Sequence, residues 1–205
     1  MMISLVKLKL KAIPTLIFIP VAIVILSALQ LLFMPYIKLH VVMISLQIFY
    51  TVVAAVWSLF LFYDLFSVDK FSYLSKIYFP RLGKLLVSFF FLLLFFLMLN
   101  LFLISQIHEG FSIWPSFFLI ASQMLISGIS SLILFALVGN VTLPLSLAFL
   151  YLSAELATFG QNKYLYHLFI LGFNYSYALN DLLNVIVLNI LIGIIQYMIF
   201  RLLMK

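Results

Sequence analysis

Charged residues fall in a few clusters along this chain, and the stretches between them are long and apolar. Residues 12–37, 41–63 and 85–107 hold no Asp, Glu, Lys or Arg. Each exceeds the ~20 helical residues that cross a hydrocarbon core of ~30 Å. Residues 110–154 are also uncharged, which is too long for one span. GNVTLP, 139–144, supplies the break, because Gly139, Asn140 and Pro144 are turn and helix-start residues. A last apolar segment is LLNVIVLNILIGIIQYMIF, 182–200. The pattern predicts an all-α integral membrane protein with one transmembrane domain over 1–205. Its six helices span approximately residues 13–35, 41–63, 85–107, 114–138, 142–157 and 182–203.

Residues 164–180, YLYHLFILGFNYSYALN, are apolar but short, aromatic and interrupted by Gly172 and Asn174. Charge arbitrates between six spans and seven. With six spans and an inside N-terminus, nine basic residues lie in the cytosol and only Lys38 and Lys163 lie outside. A seventh span at 164–180 would move Arg201 and Lys205 outside and weaken the split to seven against four. The positive-inside rule favours six spans with both termini cytosolic. Residues 164–180 are then a re-entrant or interfacial segment that must pack against other spans.

Composition agrees with this class. Of 205 residues, 67% are hydrophobic and 8% charged, against about 25% charged in soluble domains. The chain has no cysteine, which excludes disulfides, thiolate metal sites and cysteine nucleophiles. The formal charge of +6 reads through its position along the chain as a topology signal, not as a nucleic-acid footprint. The start, MMISLVKLKLKAIPTL, has the basic-then-apolar order of a signal peptide. Its apolar run outlasts a ~7–15-residue signal core and no A-x-A site follows it, so it is expected to stay as the first span. LVKLKLK can lie at the membrane surface with its lysines toward anionic headgroups.

Catalytic chemistry is not legible. No G-x-x-x-x-G-K-S/T phosphate loop, H-E-x-x-H or G-x-S-x-G motif occurs. Nothing marks the chain as an enzyme or as holding a metal or cofactor of its own. His40, His108 and His167 are far apart and read as polar anchors near headgroups. Asn174-Tyr175-Ser176 fits a glycosylation triplet that matters only in a secretory-pathway protein. Glu155 and Asp181 close the fifth span and open the sixth on the outer side, flanking 164–180. An acid deep in a bilayer costs about 2.5–3.5 kcal/mol. These two reach water or headgroups instead, and with Lys163 they form a possible outer gate, the alternative being plain interfacial solvation. Asn100, Gln123, Asn184, Asn189 and Gln196 are polar residues in or near spans that tend to face other helices. The run Ser127-Gly128-Ile129-Ser130-Ser131 allows close helix contact in the fourth span.

The densest charge lies in FYDLFSVDKFSYLSKIYFPRLGKLL, 62–86, with two of the five acidic and four of the eleven basic residues. DKFSYLSKIYF within it can form an amphipathic helix, with Phe71, Leu74 and Tyr78 at i, i+3, i+7 spacing and Lys70, Ser72, Ser75 and Lys76 on other faces. Pro80 is expected to stop that helix, and Arg81-Leu82-Gly83-Lys84 to lead into the third span. The plain reading is a positive-inside loop on the membrane. The sharper reading is a cytosolic helix that docks into a groove on a soluble partner.

The layout resembles the membrane subunits of type-2 ABC exporters over essentially the whole chain: a basic amphipathic start, six spans, and a re-entrant segment between the last two. The residues that carry the likeness are Asp64 or Asp69, Tyr73-Leu74, Pro80-Arg81 and Lys84, all in the loop between spans two and three. The chain departs from the family in lacking the large extracellular domain or longer loops of many members. The resemblance implies a coupling helix at Asp69–Phe79, with Asp69, Lys70, Phe71, Tyr73, Leu74, Lys76, Phe79, Pro80 and Arg81 contacting a separate soluble ABC ATPase. That partner would hold ATP and Mg2+, and this chain would bind no nucleotide. A second copy or a related permease chain would complete a membrane dimer exporting an amphipathic or hydrophobic cargo, such as a peptide, a bacteriocin or a lipid-like molecule. The expected location is the cell membrane, and the abundance of Ile, Phe and Lys suggests an AT-rich bacterial source. Two alternatives are the substrate-binding membrane subunit of a vitamin importer and a non-transporting immunity or scaffold protein.

Overall fold

The structure is a computed structural model that describes Ala22, Ile25 and residues 39–66, 71–158 and 179–203; side chains are described for 39–62, 83–154, Ala157 and 182–203. The expected first span at 13–35, the 164–180 segment, Asp69, Lys70 and Lys163 lie outside the described residues, apart from Ala22 and Ile25 in that span and Leu179 and Asn180 at the end of that segment. Every regular element described is an α-helix. The helices are α1 (Leu39–Phe66), α2 (Phe71–Ile107), α3 (Ile113–Val138), α4 (Thr142–Thr158) and α5 (Leu179–Leu203). Helices suit such apolar sequence because a backbone in hydrocarbon must satisfy its own hydrogen bonds.

Four of these helices contain segments long and apolar enough to cross a membrane: Leu39–Phe62, Gly83–Ile107, Ile113–Val138 and Leu182–Leu203. They match the expected second, third, fourth and sixth spans within two residues at either end, and the chain has the build of a multi-pass membrane protein. The expected fifth span is shorter than its neighbours. Its helix has 17 residues, about 25 Å of rise, and its apolar part is Thr142–Ala154.

The turns follow from local chemistry. α3 ends at Gly139 in the left-handed region (φ 69°), where its N–H donates to the Phe135 carbonyl, as αL helix caps do. Asn140 Oδ1 then accepts the N–H of Thr142 at 2.8 Å and also its hydroxyl, which starts α4. Pro144 sits in the first turn of α4, where a missing N–H costs nothing. Between α2 and α3, His108 N–H donates to the Ile104 carbonyl at 3.0 Å and Gly110 takes φ 79°.

One expectation fails at Pro80. α2 is a single helix of 37 residues that passes through that proline. The helix expected to stop at Phe79 therefore continues into the membrane span. An interior proline removes one hydrogen bond and crowds the carbonyl four residues back, which kinks a helix more readily than it ends one. The long apolar run beyond it keeps the helix going.

α3 is the central helix: α1, α2, α4 and α5 all pack on it. The side-chain contacts give the directions. Asn189 of α5 bonds Ser122 and Gln196 bonds Ser130, at sequence separations of 67 and 66, so α3 and α5 run parallel. Tyr50 pairs with Asn100 and Trp57 with Phe89, so α1 and α2 run antiparallel. Leu152 packs on Ile126 while Pro144 and Leu134 share a cavity wall further along, so α4 runs against α3. The end of α4 and the start of α5 thus lie on one side of the bundle. Lys84 and Arg201 sit on the opposite side, both exposed.

The packing is uneven. α1 and α3 are buried along half of their spans, whereas only about a quarter of the α2 and α5 spans is buried. On α2 the exposed residues include Val87, Phe91, Phe95 and Phe102, a stripe of hydrocarbon that suits lipid or a protein partner.

Two measurements check this arrangement. Because the chain is cysteine-free, Glu109→Cys and Asn140→Cys each carry a unique thiol in an exposed turn; a membrane-impermeant maleimide is expected to label them from opposite faces of sealed vesicles. Gly128 is the second test, since a Cβ there meets Ser58 Oγ at 2.9 Å and the Ala54 carbonyl oxygen at 3.5 Å. Gly128→Leu is expected to destabilise the detergent-solubilised protein by about 1–3 kcal/mol. Gly83→Leu, where a Cβ meets nothing within 4 Å, should change the thermal midpoint little.

Candidate functional site

The polar side chains that enter the spans gather on α3 and on the faces that α1 and α5 turn toward it. Ser127 Oγ donates to the Thr51 carbonyl of α1 at 3.0 Å. Asn189 Nδ2 donates to Ser122 Oγ at 3.1 Å, and Gln196 Nε2 donates to Ser130 Oγ at 2.9 Å. Asn100 Nδ2 on α2 donates to the Tyr50 hydroxyl at 2.6 Å. The remaining hydroxyls bond back to their own helices: Thr51 to the Gln47 carbonyl at 2.6 Å and Ser58 to the Ala54 carbonyl at 2.7 Å. Gln47 is fully buried with neither amide atom bonded to protein, and Gln196 Oε1 is buried and unpaired. Buried amide groups normally have partners, and of these two Gln196 lines a cleft.

Two clefts flank this seam, because α2, α4 and α5 pack on α3 and α1 rather than on one another. The first, of about 430 Å³, lies between α4 and α5 over α3. Thr51, Ser127, Ser130, Ser131 and Gln196 give it polar points, and Leu147, Tyr151 and Ile192 are among its apolar walls. The second, of about 740 Å³, lies between α2 and α5 over α1 and α3. Its lining is largely apolar, with Trp57, Phe89, Phe90 and Leu93, while Lys84, Ser88 and Tyr197 stand toward the basic side. Gly193 lets α5 approach α3 between the two clefts, since a Cβ there would collide with the Leu125 side chain.

Among the described residues no three His, Cys, Asp or Glu side chains cluster to hold a metal. Hydroxyls and amides in an apolar wall can bind and orient a largely hydrocarbon molecule that carries a few polar groups.

The residues singled out in sequence are dispersed by comparison. Phe71, Tyr73, Leu74, Lys76, Phe79, Pro80 and Arg81 occupy the first turns of α2, ahead of the apolar segment that starts at Gly83. Glu155 lies in the last turn of α4 and Asp181 in the first turn of α5, at the same end of the bundle. Of the polar span residues, Asn100, Gln123 and Asn189 are buried and Gln196 is half-buried, all at helix contacts, whereas Asn184 is exposed. Sequence reasoning missed Gln47, Tyr50, Thr51, Ser58 and Ser122. Gln47, Thr51 and Ser58 do recur at i, i+4, i+11, the spacing of one helix face, and that signal was available.

No protein-family model matches this chain, and neither does any curated protein or solved structure. Fold and site define a class, a helical multi-pass bundle with polar-seamed clefts between its helices.

The seam makes a measurable claim. In a double-mutant cycle of Ser130→Ala and Gln196→Ala, unfolding in detergent should report a coupling of about 0.6 kcal/mol, within the range of hydrogen bonds between membrane helices. A coupling indistinguishable from zero would mean that this contact does not hold α5.

Proposed function

We propose that this chain is the permease subunit of an ABC exporter that moves an amphipathic or hydrophobic cargo and works with a separate soluble ATPase. The observation that carries the reading is the continuity of α2. Twelve helical residues, 71–82, precede its apolar segment and share one helix with it. A force applied to that extension is delivered through one continuous helix to Phe89, Phe90 and Leu93, which line the larger cleft. A separate loop helix would have to transmit the same force through a flexible joint.

Orientation supports the same picture. Lys84 and Arg201 lie at the end of the bundle from which the α2 extension projects, and the basic residues Lys70, Lys76, Arg81 and Lys205 neighbour them in sequence. By the positive-inside rule that end is cytosolic, where an ATPase would sit. The end of α4 and the start of α5 share the opposite side, which suits six spans better than seven. In this reading Asp69–Phe79 is the coupling segment, and Glu155, Lys163 and Asp181 belong to an outer gate. ATP-driven closure of the partner tilts α2 and alternates access to the clefts.

The test is purification from native membranes with and without Tyr73→Ala, Leu74→Ala and Phe79→Ala combined. The expected outcome is a co-purifying soluble protein that carries a phosphate-loop sequence and hydrolyses ATP, lost with the triple variant. If no ATPase accompanies the unaltered chain, the exporter reading fails. Binding of a vitamin by the purified chain alone would favour an importer subunit instead.

A further inference from the structure

The larger cleft has a depth and a polarity that identify an occupant. Along α2 it runs from Gly83 and Lys84 to Leu93, ten residues or about 15 Å of helix rise. Gly83 opens the apolar segment Gly83–Ile107, and Leu93 lies near its middle. On α5 the lining begins at Gly193, the middle of Leu182–Leu203, and proceeds to Tyr197, nearer the basic end. The cleft therefore extends from the membrane surface to the mid-plane, half of a ~30 Å hydrocarbon core. That is the depth reached by the chains of one leaflet.

Polarity follows the same axis. The deep part is walled by Leu93, Met124 and Ile129, and the shallow part holds Lys84, Ser88 and Tyr197. Among residues with described side chains, both basic ones, Lys84 and Arg201, lie at this end, and the acidic one, Glu109, lies at the other. An apolar slot one leaflet deep with a cation at its mouth is complementary to a molecule with a hydrocarbon tail and an anionic head. The geometry points to a binding slot for an acyl chain of an anionic lipid from the leaflet at the basic end, with Lys84 meeting the headgroup. This does not rest on the exporter reading; it requires only that the bundle sit in a bilayer.

Trp57 makes the slot observable. It lines the cleft in edge contact with Phe89 at 4.9 Å between ring centroids. It is only 5% exposed, so surrounding lipid reaches it through the cleft. The chain has two tryptophans; the other, Trp114, lies on the exposed surface at the opposite end and is removed as Trp114→Phe. The full chain carrying that change is reconstituted in phosphatidylcholine with increasing fractions of phosphatidylglycerol brominated in its acyl chains, and in parallel with brominated phosphatidylcholine. Brominated phosphatidylglycerol should quench Trp57 with an apparent affinity about fivefold higher than brominated phosphatidylcholine, the factor for one basic residue at an anionic surface. Adding Lys84→Gln should bring the two lipids to parity. Adding Ser88→Phe, which narrows the cleft, should lower quenching by both while helical content is retained. Equal quenching by the two lipids, no quenching by either, a preference that survives Lys84→Gln, or quenching unchanged by Ser88→Phe would each overturn the proposal.

Discussion

The bundle depends on how closely α3 can approach α1 and α5. In lipid, apolar side chains gain little by leaving hydrocarbon for other hydrocarbon, so helix association rests on close packing and interhelical hydrogen bonds. Gly128 brings the α3 backbone against Ala54 and Ser58, and Gly193 brings α5 against Leu125. Once those backbones are near, Ser122, Ser127 and Ser130 come within hydrogen-bond reach of Asn189, Thr51 and Gln196. The three helices form a parallel spine, and α2 and α4 are laid on it in the opposite sense.

The same constraint produces the clefts. α3 makes its close contacts through Gly128 toward α1 and Leu125 toward Gly193 of α5, while α2, α4 and α5 stay largely separate from one another around it. The two gaps differ in character because different sectors of α3 floor them. Ser127, Ser130 and Ser131 face the gap beside α4, whereas Met124, Leu125 and Ile129 face the gap beside α2. One cleft can recognise polar groups and the other hydrocarbon. An amphipathic molecule presents both surfaces, and that is the physical link between this fold and the proposed cargo.

Much of the fold was legible in sequence because charge is nearly forbidden in hydrocarbon. The apolar spans of α1 and α2 and the starts of α3 and α5 follow from where Lys, Arg, Asp and Glu stop. The break between α3 and α4 follows from Gly139, Asn140 and Pro144. The continuation of α2 through Pro80 was not legible, since a local rule about proline competes with the cooperativity of a long helix. The shortness of α4 was also hidden, because nothing polar marks a limit within residues 142–154. The clefts were the least legible feature. Helices apolar on every side carry no periodic signal for their inward faces, and Gly193 looks like any isolated glycine until Leu125 is seen beside it. Contrast in the sequence is greatest in the charged loop, whereas the clefts are lined mostly by apolar side chains and hydroxyls.

Hydroxyls along the helices have a further property. Ser45, Thr51, Ser58, Ser88 and Ser153 each rest their proton on a carbonyl four residues back in the same helix. A hydroxyl held this way is nearly invisible to hydrocarbon, because its polarity is already neutralised at home. Rotation of about 120° around one bond moves it to another staggered position and turns the donor outward, while the carbonyl keeps its helical partner. The spans thus hold a reserve of polarity that appears when a guest presents an acceptor and disappears when it leaves. A surface of fixed amides or charges would stay polar in an empty membrane; this one can alternate between two solvents with the motion of single atoms.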